Sequence, residues 1–135
     1  MDIAGVDLSA LPVLDAGDVH DPDGTAGEAR VAEHVAGLAS VPLLIAIGGD
    51  NSITVSVMRA RFGDHLRTAG LVTLDAHHDL RDGVSNGSPV RRLIEAGLDG
   101  RRVVQVGIAD FSNSAEYAAR ARDLGITVIP RSALR

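Results

Sequence analysis

The sequence predicts an open, mainly parallel α/β sheet, and three observations carry that expectation. Apolar runs of strand length alternate with segments of helical period along the 135 residues. Only Phe62, Phe111 and Tyr117 are aromatic, so the core must be built from Val, Leu, Ile and Ala, which suits a helix-covered parallel sheet. Finally, carboxylates, imidazoles and amides follow directly on two of the apolar runs, where parallel sheets gather functional groups.

The elements follow in order. "PVLDAGDV" is a short apolar run closed by turn residues and predicts a strand over residues 13–16. "TAGEARVAEHVAGLAS" sets Val31, Val35, Leu38 and Ala39 on one face, an amphipathic helix. "PLLIAIGGD" is continuously apolar up to Gly48-Gly49 and predicts a strand buried on both faces. "NSITVSVMRARF" follows, with Asn51 or Ser52 as N-cap. Its β-branched residues disfavour a helix, but a parallel sheet requires a crossover there. "GLVTL" is the next strand. "SPVRRLIEAGL" predicts a helix with Ser88 as N-cap, Pro89 at its first position and Gly97 as its stop. "RVVQVGIAD" is another strand, "SAEYAARARDLG" another helix, and "ITVI" one more strand. Five strands and four helices in alternation imply right-handed crossovers in a single domain over residues 1–135.

Composition narrows the partners. The formal net charge is −5 and the 13 basic residues form no run, so nucleic-acid binding has no electrostatic footprint. No apolar stretch is long enough to span a bilayer, and "MDIAGVDLSA" has no basic region followed by an apolar one, so neither membrane association nor a signal peptide is expected. The chain has no cysteine, which excludes disulfides and thiolate metal sites and fits a cytoplasmic protein.

The chemistry concentrates in "LVTLDAHHDL". Asp75, His77, His78 and Asp79 crowd the end of an apolar strand, where unpaired charges are costly to hold together. A divalent cation would offset that cost. While the backbone stays extended, Asp75, His77 and Asp79 point one way and His78 the other. Two carboxylates and one imidazole suit Mn²⁺, Mg²⁺ or Zn²⁺. A D-x-H-x-D stretch can equally be a polar loop whose carboxylates cap the next helix, and spacing alone leaves both open. "GGDNS", after the preceding predicted strand, would open onto the same crevice, with Asp50 bracing the turn or a neighbouring ligand. His20, His34 and His65 fall on predicted loops or helix surfaces, and Arg91 and Arg92 beside an apolar stripe, so all five are expected in solvent; the two arginines could also pair across an oligomer interface. The Gly48-Gly49 pair lacks the pattern of a phosphate loop.

"IGGDNSIT", "LDAHHDLRDG" and "SNGSPVRRLIEAG", in that order and at those separations, resemble the ureohydrolase family of arginases, agmatinases and formimidoylglutamases. The resemblance runs from "VLDAGDV" to "GITVI". It implies a three-layer α/β/α domain with two Mn²⁺ ions at the strand ends, hydrolysing a C–N bond of a linear amidine or guanidine. By motif position Asp75 would bridge both metals, His77 would bind one and Asp79 the other, making hydroxide available near neutral pH. Asp75 and His77 are thereby the candidate catalytic residues.

Three departures from the family pattern shape the expectation. Asn51 stands where the family's Gly-Gly-Asp-His-Ser motif has its histidine ligand, so Asn51 is a doubtful, weaker ligand. Asn86 stands where arginases and agmatinases carry the histidine of a His-Gly pair that relays protons. The family's second aspartate cluster, Ser-x-Asp-x-Asp-x-x-Asp-Pro, is absent, as is its N-terminal strand with a Gly/Pro-rich loop, so the chain is expected to be an interior portion, incomplete at both ends. "SNGSPVRRL" and "GIADFSNSAEYAARARDLGI" look closest to formimidoylglutamases, implying N-formimidoyl-L-glutamate as the small-molecule substrate, in histidine degradation. Arg81 would meet a substrate carboxylate, with Asn86 beside it. Agmatine, arginine or another guanidino compound is the alternative substrate. A catalytically silent fragment or pseudoenzyme is the alternative function. Exposed apolar edges and faces would then favour self-association, or assembly with the missing portion.

Overall fold

The computed structural model describes residue 5 and residues 7–134. Its regular elements are α1 (Gly24–Ala36), α2 (Ile53–Phe62), β1 (Leu71–Leu74), α3 (Pro89–Glu95), β2 (Val103–Ile108), α4 (Ala115–Asp123) and β3 (Thr127–Pro130). The three strands form one parallel sheet in the order β1-β2-β3, with Leu71 opposite Val103 and Val104 opposite Thr127. The α/β class and the parallel crossovers are as the sequence predicts.

All four predicted helices form. In α1 Val31 and Val35 are buried. α2 forms despite its β-branched residues; Val55 and Ser56 are buried, and α2 packs against α1 and α3, so packing outweighs propensity. Pro89 opens α3 just after its N-cap Ser88, whose hydroxyl turns back to the Ser85 carbonyl at 2.8 Å.

Two predicted strands do not form among the described residues. Residues 13–16 and the "PLLIAI" run are irregular chain, and Leu43, Ile45 and Ile47 are 72%, 73% and 94% exposed. An apolar run signals a buried strand only where a neighbour supplies its ladder of hydrogen bonds. In the described sheet β1 pairs only with β2, leaving its other edge open.

Sheet order decides where the core sits. With right-handed crossovers, two consecutive β-α-β units advancing in one direction put both helices on the same face. Val103 and Gln105 on that face are fully buried, and Leu66, Leu80, Leu93, Leu98 and Ile126 complete the core. The opposite face is open: Val72 is 64% exposed and Leu74 82%. The described residues therefore supply two of the three expected layers. None of the described helices is long and apolar enough to cross a membrane.

Candidate metal and substrate cleft

A cleft of about 430 Å³ opens at the carboxyl end of β1. Every residue singled out from the sequence as a site candidate lines it: Asn51, Asp75, His77, Asp79, Arg81 and Asn86. Asn51 comes from the loop before α2 and the other five from the connection between β1 and α3, and the fold brings the two loops together.

Asp75 continues the ladder beyond β1, its N–H donating to the Val106 carbonyl at 3.1 Å. Its Oδ1 then accepts the His77 backbone N–H at 2.7 Å and lies 3.2 Å from His77 Nδ1. That tight turn ends the extended backbone, so the expected alternation of Asp75, His77 and Asp79 does not persist. His77 is left exposed, whereas Asp79 is only 8% exposed with a left-handed φ of 54°, a conformation aspartate tolerates better than most residues. Leu80, fully buried, anchors the loop to the core.

Asp79 carries the strongest electrostatic signature in the cleft. Burial pushes its carboxyl up from the ordinary value, and the Asp75 charge adds to that; a hydrogen bond from Asn51 and the charges of His77 and Arg81 pull the other way. Asn51 donates its amide nitrogen to Asp79 Oδ2 at 2.7 Å and to the Asn86 carbonyl at 3.2 Å, while its Oδ1 accepts from Thr54 Oγ1 at 3.2 Å. Both neighbours of the nitrogen are acceptors, so only the N–H₂ end can face them. In this arrangement Asn51 braces Asp79 rather than offering it a neighbouring ligand oxygen. Asp50 accepts the Ser52 N–H at 2.8 Å, bracing the turn into α2.

His78 points inward, and no local pattern announces what it meets. It is buried against Gln105, its Nδ1 lying 2.7 Å from Gln105 Oε1, while Gln105 Nε2 donates to the His78 carbonyl at 2.8 Å. The glutamine nitrogen is committed to that carbonyl, so its oxygen faces the ring and His78 Nδ1 carries the proton. Asn113 closes the other side, accepting from the His78 N–H at 3.1 Å and donating to the Ala76 carbonyl at 2.8 Å. These two amides fix the loop that presents Asp75, His77 and Asp79. A lone polar residue inside "VVQVGI" was the available signal for Gln105; only the placement of "SNS" after a strand pointed to Asn113.

The donor chemistry, hard carboxylate oxygens with one imidazole, is the kind Mn²⁺ accepts. Among the described residues, however, no three His, Asp or Glu side chains converge closely enough to hold a metal ion. Asp75 Oδ1 is turned onto its own loop, and Asp79 Oδ2 is engaged by Asn51. The cleft has the right donors and an open arrangement of them.

Fold and cleft together define an α/β domain of the kind that collects acidic and imidazole side chains at the ends of parallel strands. The arginase family model matches residues 1–135, and the chain belongs to the arginase family. It is 39% identical over 133 residues to a formimidoylglutamase of Halalkalibacterium halodurans, covering 91% of this chain and 41% of that protein. Among solved structures it is similar to the formimidoylglutamase of Bacillus subtilis, with a TM-score of 0.77 and 31% identity over 87% of this chain and 39% of that one. It is also similar to Trypanosoma cruzi formiminoglutamase with Mn²⁺, with a TM-score of 0.87 and 27% identity over 98% of this chain and 47% of that one. The fold is therefore arginase-like. The chain spans about two fifths of the length of the curated relative it matches.

Proposed function

We propose that this chain is the first metal-binding part of a manganese-dependent formimidoylglutamase. The reaction adds water to N-formimidoyl-L-glutamate, breaks the C–N bond to the glutamate nitrogen, and yields L-glutamate and formamide. The observation that carries this is the convergence of Asn51, Asp75, His77, Asp79, Arg81 and Asn86 on one cleft. Similarity to formimidoylglutamases from two bacteria supports it.

Asp75, His77 and Asp79 would hold manganese, which when bound supplies Lewis acidity and readily ionised water. The remaining residues govern binding. Arg81 presents a guanidinium that makes no hydrogen bond or ion pair among the described residues, the group that matches a carboxylate in a planar, two-point contact. A free cation there favours an acidic amidine and opposes agmatine, whose ends are both cationic. Asn86 holds the Asn51 amide through its carbonyl and lines the wall beside Arg81.

One observation favours a second reading, a catalytically silent fragment that binds metal weakly: no three donors converge among the described residues. The test is release of L-glutamate from N-formimidoyl-L-glutamate with added Mn²⁺, by this chain and by a chain extended to family length. Turnover by the extended chain, lost in Asp75→Ala, supports the enzyme reading. Turnover by the 135-residue chain alone removes the silent-fragment reading, and no turnover by either removes the enzyme reading.

A further inference from the structure

The loop carrying Arg81 closes on itself at Gly87, where the Arg81 backbone N–H donates to the Gly87 carbonyl at 3.0 Å. The Arg81 side chain lies across the same glycine. A Cβ at position 87 would stand 2.8 Å from Arg81 Cδ, 3.2 Å from Nε and 3.5 Å from Cγ. The backbone does not require glycine there, because Gly87 is not among the glycines with positive φ. What glycine provides is room for the stem of one arginine. Of the arginines in this loop, in α3 after it and in α4 against it, Arg91, Arg92 and Arg120 each pair with a carboxylate, and Arg81 pairs with none among the described residues.

We propose that Gly87 is a positioning residue: by lacking a side chain it seats the Arg81 stem and holds the guanidinium over the cleft as a receptor for a carboxylate-bearing substrate. This deepens the formimidoylglutamase reading and rests on it for the identity of the substrate. A methyl group at 87 would meet the outer part of a flexible side chain rather than backbone, so the loop keeps its path while Arg81 swings away.

The test follows the arginine Nε–H signals by NMR as the chain is titrated with glutarate, a dicarboxylate without an amidine, in the absence of manganese. Wild type, Gly87→Ala, Arg81→Ala and the double variant are compared, and loss of a signal in Arg81→Ala identifies it. Glutarate is expected to shift the Arg81 signal. Gly87→Ala is expected to weaken binding about tenfold, the scale of one charge-assisted hydrogen bond. In the Arg81→Ala background it should have no further effect. The proposal is overturned if glutarate leaves the Arg81 signal unmoved, if Gly87→Ala binds as wild type does, or if the methyl weakens binding equally without Arg81. Loss of the cooperative melt in Gly87→Ala would overturn it too, since the methyl would then be striking something rigid. No turnover is read, so failure of the hydrolysis assay would strike the proposed reaction and leave this result standing.

Discussion

Arg92 on α3 and Arg81 in the loop before it carry the same group and meet opposite surroundings. Arg92 grips both oxygens of Glu28, at 2.8 and 2.7 Å, tying α3 to α1. The pair holds the Glu28 carboxyl below its ordinary value and raises Arg92. Arg91 donates to the Arg81 carbonyl at 2.7 Å, and Arg120 to the Leu80 carbonyl and Asp82, both at 2.8 Å. These arginines, expected in solvent or at an oligomer interface in the case of Arg91 and Arg92, instead pin the cleft loop and the helices. Arg81 faces the cleft unpaired, near a buried carboxylate that burial pushes up. Arg91, Arg92 and Arg120 spend their charge on carboxylates of the fold, while the Arg81 guanidinium meets none among the described residues.

The largest effect belongs to the covered side. Leu93→Ala, at a fully buried position, should cost about 2–5 kcal/mol in urea melts, while Leu74→Ala on the open face should cost less than about 0.5 kcal/mol. Equal costs would mean that the two faces of the sheet are not the covered and bare surfaces described.

Next comes the ion pair itself. Glu28→Gln should cost about 1–2 kcal/mol at pH 7, because Arg92 loses a charged partner in a largely buried setting. The sign with pH follows from the lowered carboxyl. Between that lowered value and 4.5 the unfolded chain binds the proton and the folded chain does not. The stabilisation is therefore complete above 4.5 and lost as pH falls through the folded value, and Glu28→Gln should flatten that part of the stability–pH curve.

The smallest effect on stability has the opposite sign. The Asp79 carboxyl is raised, so above its ordinary value of 3.8 the folded state retains a proton that the unfolded state releases, and ionising it as pH rises weakens the fold. Asp79→Asn in metal-free buffer should raise the thermal midpoint slightly at neutral pH. A lower midpoint would show that the Asp79 charge serves the fold, and the contrast with Glu28 would collapse.

Helical spacing located α1 and α3, Ala-rich composition before a Gly stop located α4, and topology alone recovered α2 from a segment whose propensity opposes it. The "PLLIAI" run failed for a reason periodicity cannot carry: apolar length says that a strand would be buried, not that it docks on a free edge such as the one β1 leaves open. The cleft residues were legible because the family motifs are short local strings, and both fall in loops that open onto the end of β1. Their mutual arrangement was not, since the turn at Asp75 and the left-handed Asp79 break the alternation that an extended backbone would give. Gln105 and Asn113, which hold that loop, escaped notice because each acts through tertiary contacts rather than a local pattern.

On the proposed function, the carboxylates and imidazole beyond β1 hold a divalent cation. Electron paramagnetic resonance of Mn²⁺ titrated with the purified chain tests it most directly, since protein-bound ions lose the six-line signal of the hydrated ion. The signal should fall on adding the wild-type chain and stay at full strength with Asp75→Asn/Asp79→Asn. Full six-line intensity with the wild-type chain at millimolar concentration, or equal loss with the double variant, would contradict the claim.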